Sequence, residues 1–303
     1  MKNVILEIIP IKLNQSISIL VLFALLLFLL FSCTNDDNQT PIADKAIISQ
    51  EIKDLIYLKG DESASTVLIN VPGGPSTKLN TEIADLIYGL FNTTDILNVT
   101  VHQAQTLDST IVKVDDITLN EAININKESI NILHQVVSYF KNQGRTVYIL
   151  GFSFGAFVTQ ELIATNGINS ADKYLIMTGR LDINDSLWQA SSEGKEGWFE
   201  NGVTPIVDSE PLSNAKERNL LRISAGLGKN RYTQLLNDFE DLSKVTYVYG
   251  KTDEAVGSLT SEEVDFLETK NTKIIAGSGD HTATFEDFII QGLEETFGIE
   301  LLE

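Results

Sequence analysis

Several residue types are scarce in this 303-residue chain, and each scarcity narrows what the protein can do. A single cysteine excludes an internal disulfide bond. Only three histidines are present, and no His/Asp/Glu cluster has the spacing of metal ligands, so we expect neither a metal ion nor another cofactor. Lysine and arginine total 22 against 42 aspartates and glutamates, a net charge of −20. We therefore expect no nucleic-acid partner and no attraction of the folded domain to an anionic membrane surface.

A long apolar run lies near the N-terminus. Residues 17–31 are almost unbroken apolar and follow Lys2 and Lys12. This length suits the hydrophobic region of a signal peptide better than a membrane span, which needs about 20 residues. The run ends in Leu30-Phe31-Ser32-Cys33, which resembles a bacterial lipobox. The alternative is an uncleaved N-terminal anchor helix.

The lipobox resemblance implies how the N-terminal region is organised. Residues 1–32 would be a lipoprotein signal peptide, Cys33 would be lipidated as the mature N-terminus, and residues 33–45 would form a flexible tether. Asn35, two residues after Cys33, is not the aspartate associated with inner-membrane retention. We therefore expect a lipid-anchored protein of the bacterial cell envelope, at the outer membrane and facing the periplasm or the cell surface.

Residues 46–303 alternate between short apolar runs and helical patterns, which predicts a largely parallel sheet covered by helices on both faces. One or two opening strands are expected within 46–58. Further strands are predicted at 66–71, 96–101, 146–150, 173–178, 244–249 and 272–276, and helices at 81–91, 129–140, 261–268 and 285–297.

Residues 182–243 interrupt this alternation, with two amphipathic helices predicted near 216–223 and 232–242. We expect this insertion to cover the carboxyl edge of the sheet as a small lid. Trp188, Trp198 and Phe199 would either line an acyl or aromatic pocket or form the core of the lid itself.

The sequence Gly151-Phe152-Ser153-Phe154-Gly155 lies between a predicted strand and a predicted helix. A Cβ atom at Gly151 or Gly155 would clash with the neighbouring strand or helix, so both positions need glycine. This turn would put Oγ of Ser153 at the carboxyl edge of the sheet, above the free N–H groups of a helix N-terminus. The alternative is an ordinary turn that contains a serine.

A second backbone donor is predicted upstream, where a strand ends in Pro72-Gly73-Gly74-Pro75. Glycine lets a backbone N–H turn toward a bound substrate. Gly74 is the better candidate donor because Pro75 has no N–H. The alternative is an ordinary Pro-Gly turn.

A serine needs a base to take its proton, and that base needs an anion to orient it. Of the three histidines, His281 lies on a glycine-rich loop just after a late strand, whereas His102 and His134 have positions more typical of structural residues. The candidate acids are Asp253, on the loop after the preceding strand, Asp182 and Asp280. Asp253 is favoured because its loop leaves the same sheet edge as the serine.

The chain order of these residues resembles that of the α/β-hydrolase family. Residues 151–155 resemble its nucleophile elbow, residues 250–253 its acid loop and residues 279–281 its histidine loop. The resemblance extends over nearly all of residues 46–303. The family often has His-Gly at the oxyanion strand, where this chain has Pro72-Gly73.

The resemblance implies the α/β-hydrolase fold, with a mostly parallel central sheet, helices on both faces and a small lid insertion. It implies that Ser153 is the nucleophile, His281 the general base and acid, and Asp253 the orienting acid. The N–H groups of Gly74 and Phe154 would form the oxyanion hole.

The expected function is a serine hydrolase that cleaves a carboxylic ester or another acyl bond through an acyl-enzyme intermediate. Its partners would be a small ester, amide or peptide substrate and, through the lipid anchor, a membrane. Gly73-Gly74-Pro75 is faintly similar to the family's aminopeptidases that release N-terminal proline, so a proline-iminopeptidase-like peptidase is one alternative. A non-catalytic, tethered binding protein with the same fold is the other.

The anchor is tested by the mass of the mature N-terminus. We expect cleavage before Cys33 and a residue mass that includes acyl chains. Cys33→Ser should remove that mass without lowering activity, because the substitution lies outside the predicted hydrolase domain. An unmodified Cys33 thiol in the wild-type protein would rule the lipoprotein interpretation out.

Overall fold

The protein is described by a computed structural model over residues 48–113 and 115–302. The predicted signal peptide, Cys33 and the tether lie outside the described residues. Within the described ranges, no helix combines the length and the apolar character needed to cross a bilayer.

Nine strands are present in the described ranges, seven of them in one sheet. They are β1 (Ile56–Lys59), β2 (Thr66–Val71), β3 (Ile96–Val101), β4 (Thr146–Phe152), β5 (Lys173–Met177), β6 (Gly197–Glu200), β7 (Thr204–Val207), β8 (Val245–Gly250) and β9 (Lys273–Gly277). The large sheet has the order β1-β3-β2-β4-β5-β8-β9, in which only β1 is antiparallel to its neighbour. Strands β6 and β7 form a separate antiparallel hairpin.

The helices lie against both faces of the large sheet. They are α1 (Gln50–Lys53), α2 (Glu82–Leu90), α3 (Ala104–Leu107), α4 (Leu119–Asn142), α5 (Phe154–Asn166), α6 (Asp185–Glu193), α7 (Ala215–Gly228), α8 (Tyr232–Leu235), α9 (Ser261–Thr269) and α10 (His281–Phe297). Short 3-10 helices occur at Ser109–Val112 and Ile168–Ser170.

Strand β2 shows why the sheet is covered on both sides. Val67 and Ile69 point into a core cluster shared with α4 and α5, whereas the intervening Leu68 joins a second cluster with α2 and α10. All three side chains are fully buried. Apolar residues on both faces of a strand are what a central parallel strand requires, and the predicted layered architecture is confirmed.

The predicted elements mostly match the structure, although several of their bounds differ. The helix expected at 129–140 begins earlier, at Leu119, where Thr118 and Glu121 form a capping box. The opening segment contains the short helix α1 before its single strand β1. The helix expected to reach residue 242 ends at Leu235. Asn237 and Asp238 follow in or beside a turn, and asparagine and aspartate generally favour turns over helix interiors.

Residues 182–243, here called the 182–243 segment, lie between β5 and β8 and contain α6, the hairpin β6–β7, α7 and α8. The hairpin occurs where the sequence has no evident periodicity. Its turn contains Asn201 and Gly202, both with positive φ, of 53° and 72°. An Asn-Gly pair between short strands is a strong hairpin signal, and it is the feature that could have predicted this element.

Candidate active site

Ser153 lies at the sharp turn between β4 and α5. Its φ of 54° and ψ of −119° belong to a region that residues with a Cβ atom rarely occupy. The turn is held on both sides, because the Ser153 N–H donates to the Met177 carbonyl at 3.0 Å and the Ser153 carbonyl accepts from Ala156 at 2.8 Å. In this strained conformation the hydroxyl is directed toward His281.

The two glycines of the motif are required by close backbone packing, as predicted. A Cβ atom at Gly151 would lie 2.7 Å from the Gly155 carbonyl oxygen, and one at Gly155 would lie 2.6 Å from the Val71 carbonyl carbon. Helix α5 therefore starts in direct backbone contact with the end of β2.

Three sequence-predicted side chains meet at the carboxyl edge of the sheet. His281 Nε2 lies 2.9 Å from Ser153 Oγ, and His281 Nδ1 lies 2.7 Å from Asp253 Oδ2. A carboxylate can only accept, so Nδ1 carries the hydrogen shared with Asp253 and Nε2 is the acceptor for the serine hydroxyl. The other carboxylate oxygen, Oδ1, accepts from the backbone N–H groups of Ala255 and Val256 at 2.8 and 3.0 Å. Asp253 is 1% exposed, so bulk water does not compete for these bonds.

His281 is the first residue of α10 rather than a loop residue as predicted. Asp280 precedes it as the N-cap and accepts from the Ala283 N–H at 2.9 Å. The ring lies 5.6 Å from that of Phe152, between centroids. His281 is therefore carried by a capped helix end, which fixes its backbone.

The two competing acids are engaged elsewhere. Asp182 accepts from the Thr233 hydroxyl at 2.5 Å and from the Thr233 N–H at 3.3 Å. Asp280 caps α10. Of the three candidate aspartates, Asp253 is the one bonded to His281.

The remaining histidines have local partners. His102 Nδ1 lies 3.0 Å from the Thr106 hydroxyl, and burial lowers the pKa of this imidazole. His134 Nδ1 lies 3.2 Å from the amide nitrogen of Asn166. Both contacts fit the structural positions expected from the sequence.

The two predicted backbone donors border the same cleft as Ser153. Phe154 is the first residue of α5, where N–H groups have no partner within the helix. Gly74 follows β2 with a φ of 143°, and a Cβ atom at the adjacent Gly73 would lie 3.2 Å from the Ser153 Cβ atom. The loop after β2 thus runs beside the serine.

Gln103 is a supporting residue that the sequence analysis missed. Its side-chain amide donates to the Pro72 carbonyl at 3.0 Å, and Gln105 donates to its side-chain oxygen at 2.6 Å. Both glutamines are buried. They fix the start of the loop that carries Gly74. No pattern in the neighbouring sequence distinguishes these two glutamines from solvent-exposed ones.

Two clefts meet at Ser153. The segment-side cleft, of about 680 Å³ including the volume that opens to solvent, is bordered by Gly74, Phe154 and Val256 and by residues of the 182–243 segment, among them Ile183, Leu187, Trp188, Ser191, Ser224 and Ala225. The histidine-side cleft, of about 1260 Å³ with the volume that opens to solvent again included, is bordered by His281, Asn70, Ser76, Asn80, Glu82, Thr282 and Phe285.

The three aromatic residues of the 182–243 segment have different environments. Trp188 borders the segment-side cleft, as one of the two alternatives expected. Phe199 is 1% exposed and packs against Gly257 and Arg180, whereas Trp198 is 39% exposed. Neither alternative therefore describes all three.

Comparison with known proteins identifies the fold. No protein-family model and no curated protein matches the chain. A highly thermostable carboxyl esterase from Bacillus coagulans matches its structure with a TM-score of 0.52 and 10% sequence identity, over 80% of this chain and 93% of that one. MGS-M2, an α/β hydrolase enzyme from a Medee basin deep-sea metagenome library, matches with a TM-score of 0.50 and 11% identity, over 82% and 96%. With the strand order described above, these similarities show that the chain has the α/β-hydrolase fold.

Proposed function

We propose that the protein is a serine hydrolase that cleaves a carboxylic ester or another acyl bond through an acyl-enzyme intermediate. The observation that carries the proposal is the continuous hydrogen-bonded chain from Ser153 through His281 to Asp253. Each of the two links has the length of a normal or strong hydrogen bond. The Asp253 carboxylate is buried, so protein partners rather than water fix its orientation.

The reaction follows from the positions of these atoms. As Ser153 Oγ attacks the substrate carbonyl carbon, its proton passes to His281 Nε2. The developing oxyanion accepts hydrogen bonds from the N–H groups of Gly74 and Phe154. The bond to the leaving group then breaks as His281 returns the proton to it. A water molecule repeats the sequence, giving up a proton to His281, and releases the acid with Ser153 restored.

Asp253 stabilises the imidazolium that forms in each half of this cycle. Its two oxygens have different partners. Oδ1 accepts from two backbone N–H groups, and Oδ2 accepts from His281. Charge interactions are stronger in a buried site than in water. The carboxylate can therefore orient the ring without moving.

The two clefts suggest which part of the substrate lies where. His281 must reach the leaving group to protonate it, so we assign the leaving group to the histidine-side cleft. The acyl group then enters the segment-side cleft, where Ile183, Leu187 and Trp188 are apolar. The residues described there are uncharged, which favours an apolar acyl group over one that carries a free α-ammonium group. This supports an esterase over a proline-iminopeptidase-like peptidase.

The 182–243 segment is proposed to act as a lid because it supplies a large part of the segment-side cleft. In the same proposal the hydrolase domain spans residues 46–303 and is held in the bacterial cell envelope by the lipidated Cys33.

The nucleophile is tested with Ser153→Ala. A fluorophosphonate probe should label the wild-type protein and fail to label the variant, and turnover of p-nitrophenyl esters should fall on the order of 10⁴-fold or more, because triad members act as a unit. Ser65→Ala, at an exposed serine before β2, is the matched control and should leave both readouts unchanged. Absence of wild-type labelling would favour the non-catalytic binding protein.

The acid is tested by comparing Asp253→Asn with Asp182→Asn. The first substitution keeps the shape of the side chain but favours the wrong histidine tautomer, so kcat should fall on the order of 10⁴-fold, as in serine proteases. The second removes only a contact to Thr233 and should have a small effect. The reverse ranking would contradict the assignment.

The acyl preference is tested with p-nitrophenyl esters of increasing chain length and with aminoacyl p-nitroanilides. We expect kcat/KM to be at least about tenfold higher for medium apolar acyl groups than for acetyl, since each buried methylene contributes about 0.8 kcal/mol. Prolyl p-nitroanilide should be a poor substrate. Preference for the prolyl compound would replace the esterase assignment with the peptidase one.

A further inference from the structure

The loop that carries Asp253, here called the acid loop (residues 251–257), is held from two opposite sides. On one side lies the loop that follows β9. The Lys251 N–H donates to the Gly277 carbonyl at 2.9 Å, and the Thr252 N–H donates to the Gly279 carbonyl at 3.3 Å. These bonds join the acid loop to the chain that leads into His281.

On the other side lies the hairpin β6–β7, from the 182–243 segment. The Phe199 N–H donates to the Glu254 carbonyl at 2.8 Å, and the Ser258 N–H donates to the Gly202 carbonyl at 2.7 Å. Gly202 lies so close that a Cβ atom there would be 3.1 Å from the Asp253 backbone nitrogen. The turn of the hairpin is thus in backbone contact with the acid itself.

Phe199 anchors this contact. Its ring is fully buried and packs on Gly257, where a Cβ atom would lie 2.9 Å from the ring. The guanidinium of Arg180 lies 5.0 Å from the ring centroid on a cation–π contact. Arg180 is paired in turn with Glu263 at 3.3 Å, and both side chains are more than nine-tenths buried.

Glu263 links Arg180 to the start of the 182–243 segment and to the chain just beyond the acid loop. One carboxylate oxygen accepts from the Asp182 N–H at 2.7 Å, where the 182–243 segment begins, and the other accepts from the Thr260 N–H at 2.8 Å, just beyond the acid loop. A buried ion pair with these additional bonds is costly to separate. Arg180, on which the Phe199 ring packs, is therefore held rigidly in place.

We propose that the hairpin β6–β7 is a positioning element for the catalytic acid, with Phe199 and Gly202 as its positioning residues. The Asp253 carboxylate is held by the N–H groups of Ala255 and Val256 within the same loop, so a displaced loop displaces the carboxylate. A misplacement of about 1 Å in catalytic geometry can cost about 10²-fold in rate. The inference rests on the proposed function, because it assumes that Asp253 orients His281.

The test is a double-mutant cycle on kcat/KM, with the rate of fluorophosphonate labelling as a second readout. Phe199→Ala is made in the wild-type protein and in Asp253→Asn. If Phe199 acts through Asp253, its removal should lower both rates about 10- to 100-fold in the wild type and less than about threefold in Asp253→Asn. A merely structural role would lower the rates by the same factor in both backgrounds.

Trp198→Ala is the matched control, since Trp198 is the neighbouring aromatic residue of the same strand and is 39% exposed. It should change the rates less than about threefold. Phe199→Leu should restore much of the lost rate by refilling the site, and Gly202→Ala should reproduce the loss by pressing a methyl group against the acid loop. These two variants decide the question if Phe199→Ala does not fold.

The outcomes separate this inference from the proposed function. A labelled, active wild type in which Phe199→Ala behaves like Trp198→Ala, or costs the same factor in both backgrounds, would overturn the positioning role alone. A wild-type protein that neither reacts with the probe nor hydrolyses any acyl substrate would overturn the proposed function and this inference with it.

Discussion

Helix α5 approaches the carboxyl end of β2 more closely than any side chain would permit, and the geometry around Ser153 depends on this contact. Gly155 makes it possible, since a Cβ atom there would meet the Val71 backbone. The contact brings the first residue of α5, Phe154, to the cleft that Gly74 also borders. The positive φ of Ser153 follows from the same constraint, because the chain must reverse within one residue to start a helix so close to the neighbouring strand.

The positions of Asp253 and His281 follow from the register of the sheet. Strands β8 and β9 are parallel and in register where they end, with Gly250 opposite Gly277. A Cβ atom at Gly250 would lie 2.6 Å from the Gly279 carbonyl oxygen, so the two loops leave the sheet side by side. Asp253 and His281 follow these glycines by short, similar distances along the chain. Ser153, Asp253 and His281 thus lie just beyond three strand ends, which a parallel sheet brings to one edge.

The parts that sequence reasoning predicted are those whose causes are local. Strands β2 and β3 are short runs rich in β-branched residues, with clear ends. The sharp turn at Ser153 is indicated by the glycines on either side of that serine. The hairpin β6–β7 was missed because what stabilises it is distant in sequence: Phe199 packs on Gly257 and under Arg180. The same holds for Gln103, whose partner is the Pro72 carbonyl. Only the Asn-Gly turn of the hairpin is a local signal, and it does not indicate where the hairpin docks.

The 182–243 segment borders the cleft at Ser153 and also contacts the acid loop, which has a consequence for how this fold could diversify. In a modular hydrolase, a cap could be exchanged to admit new substrates while the reaction centre stayed intact. Here the stretch that contributes Leu187 and Trp188 to the cleft wall also contributes Phe199, which contacts the acid loop. A transplanted cap would have to reproduce that second contact to be accepted. Gradual change confined to α6 is the easier route to a cleft of new shape, because it leaves the hairpin in place.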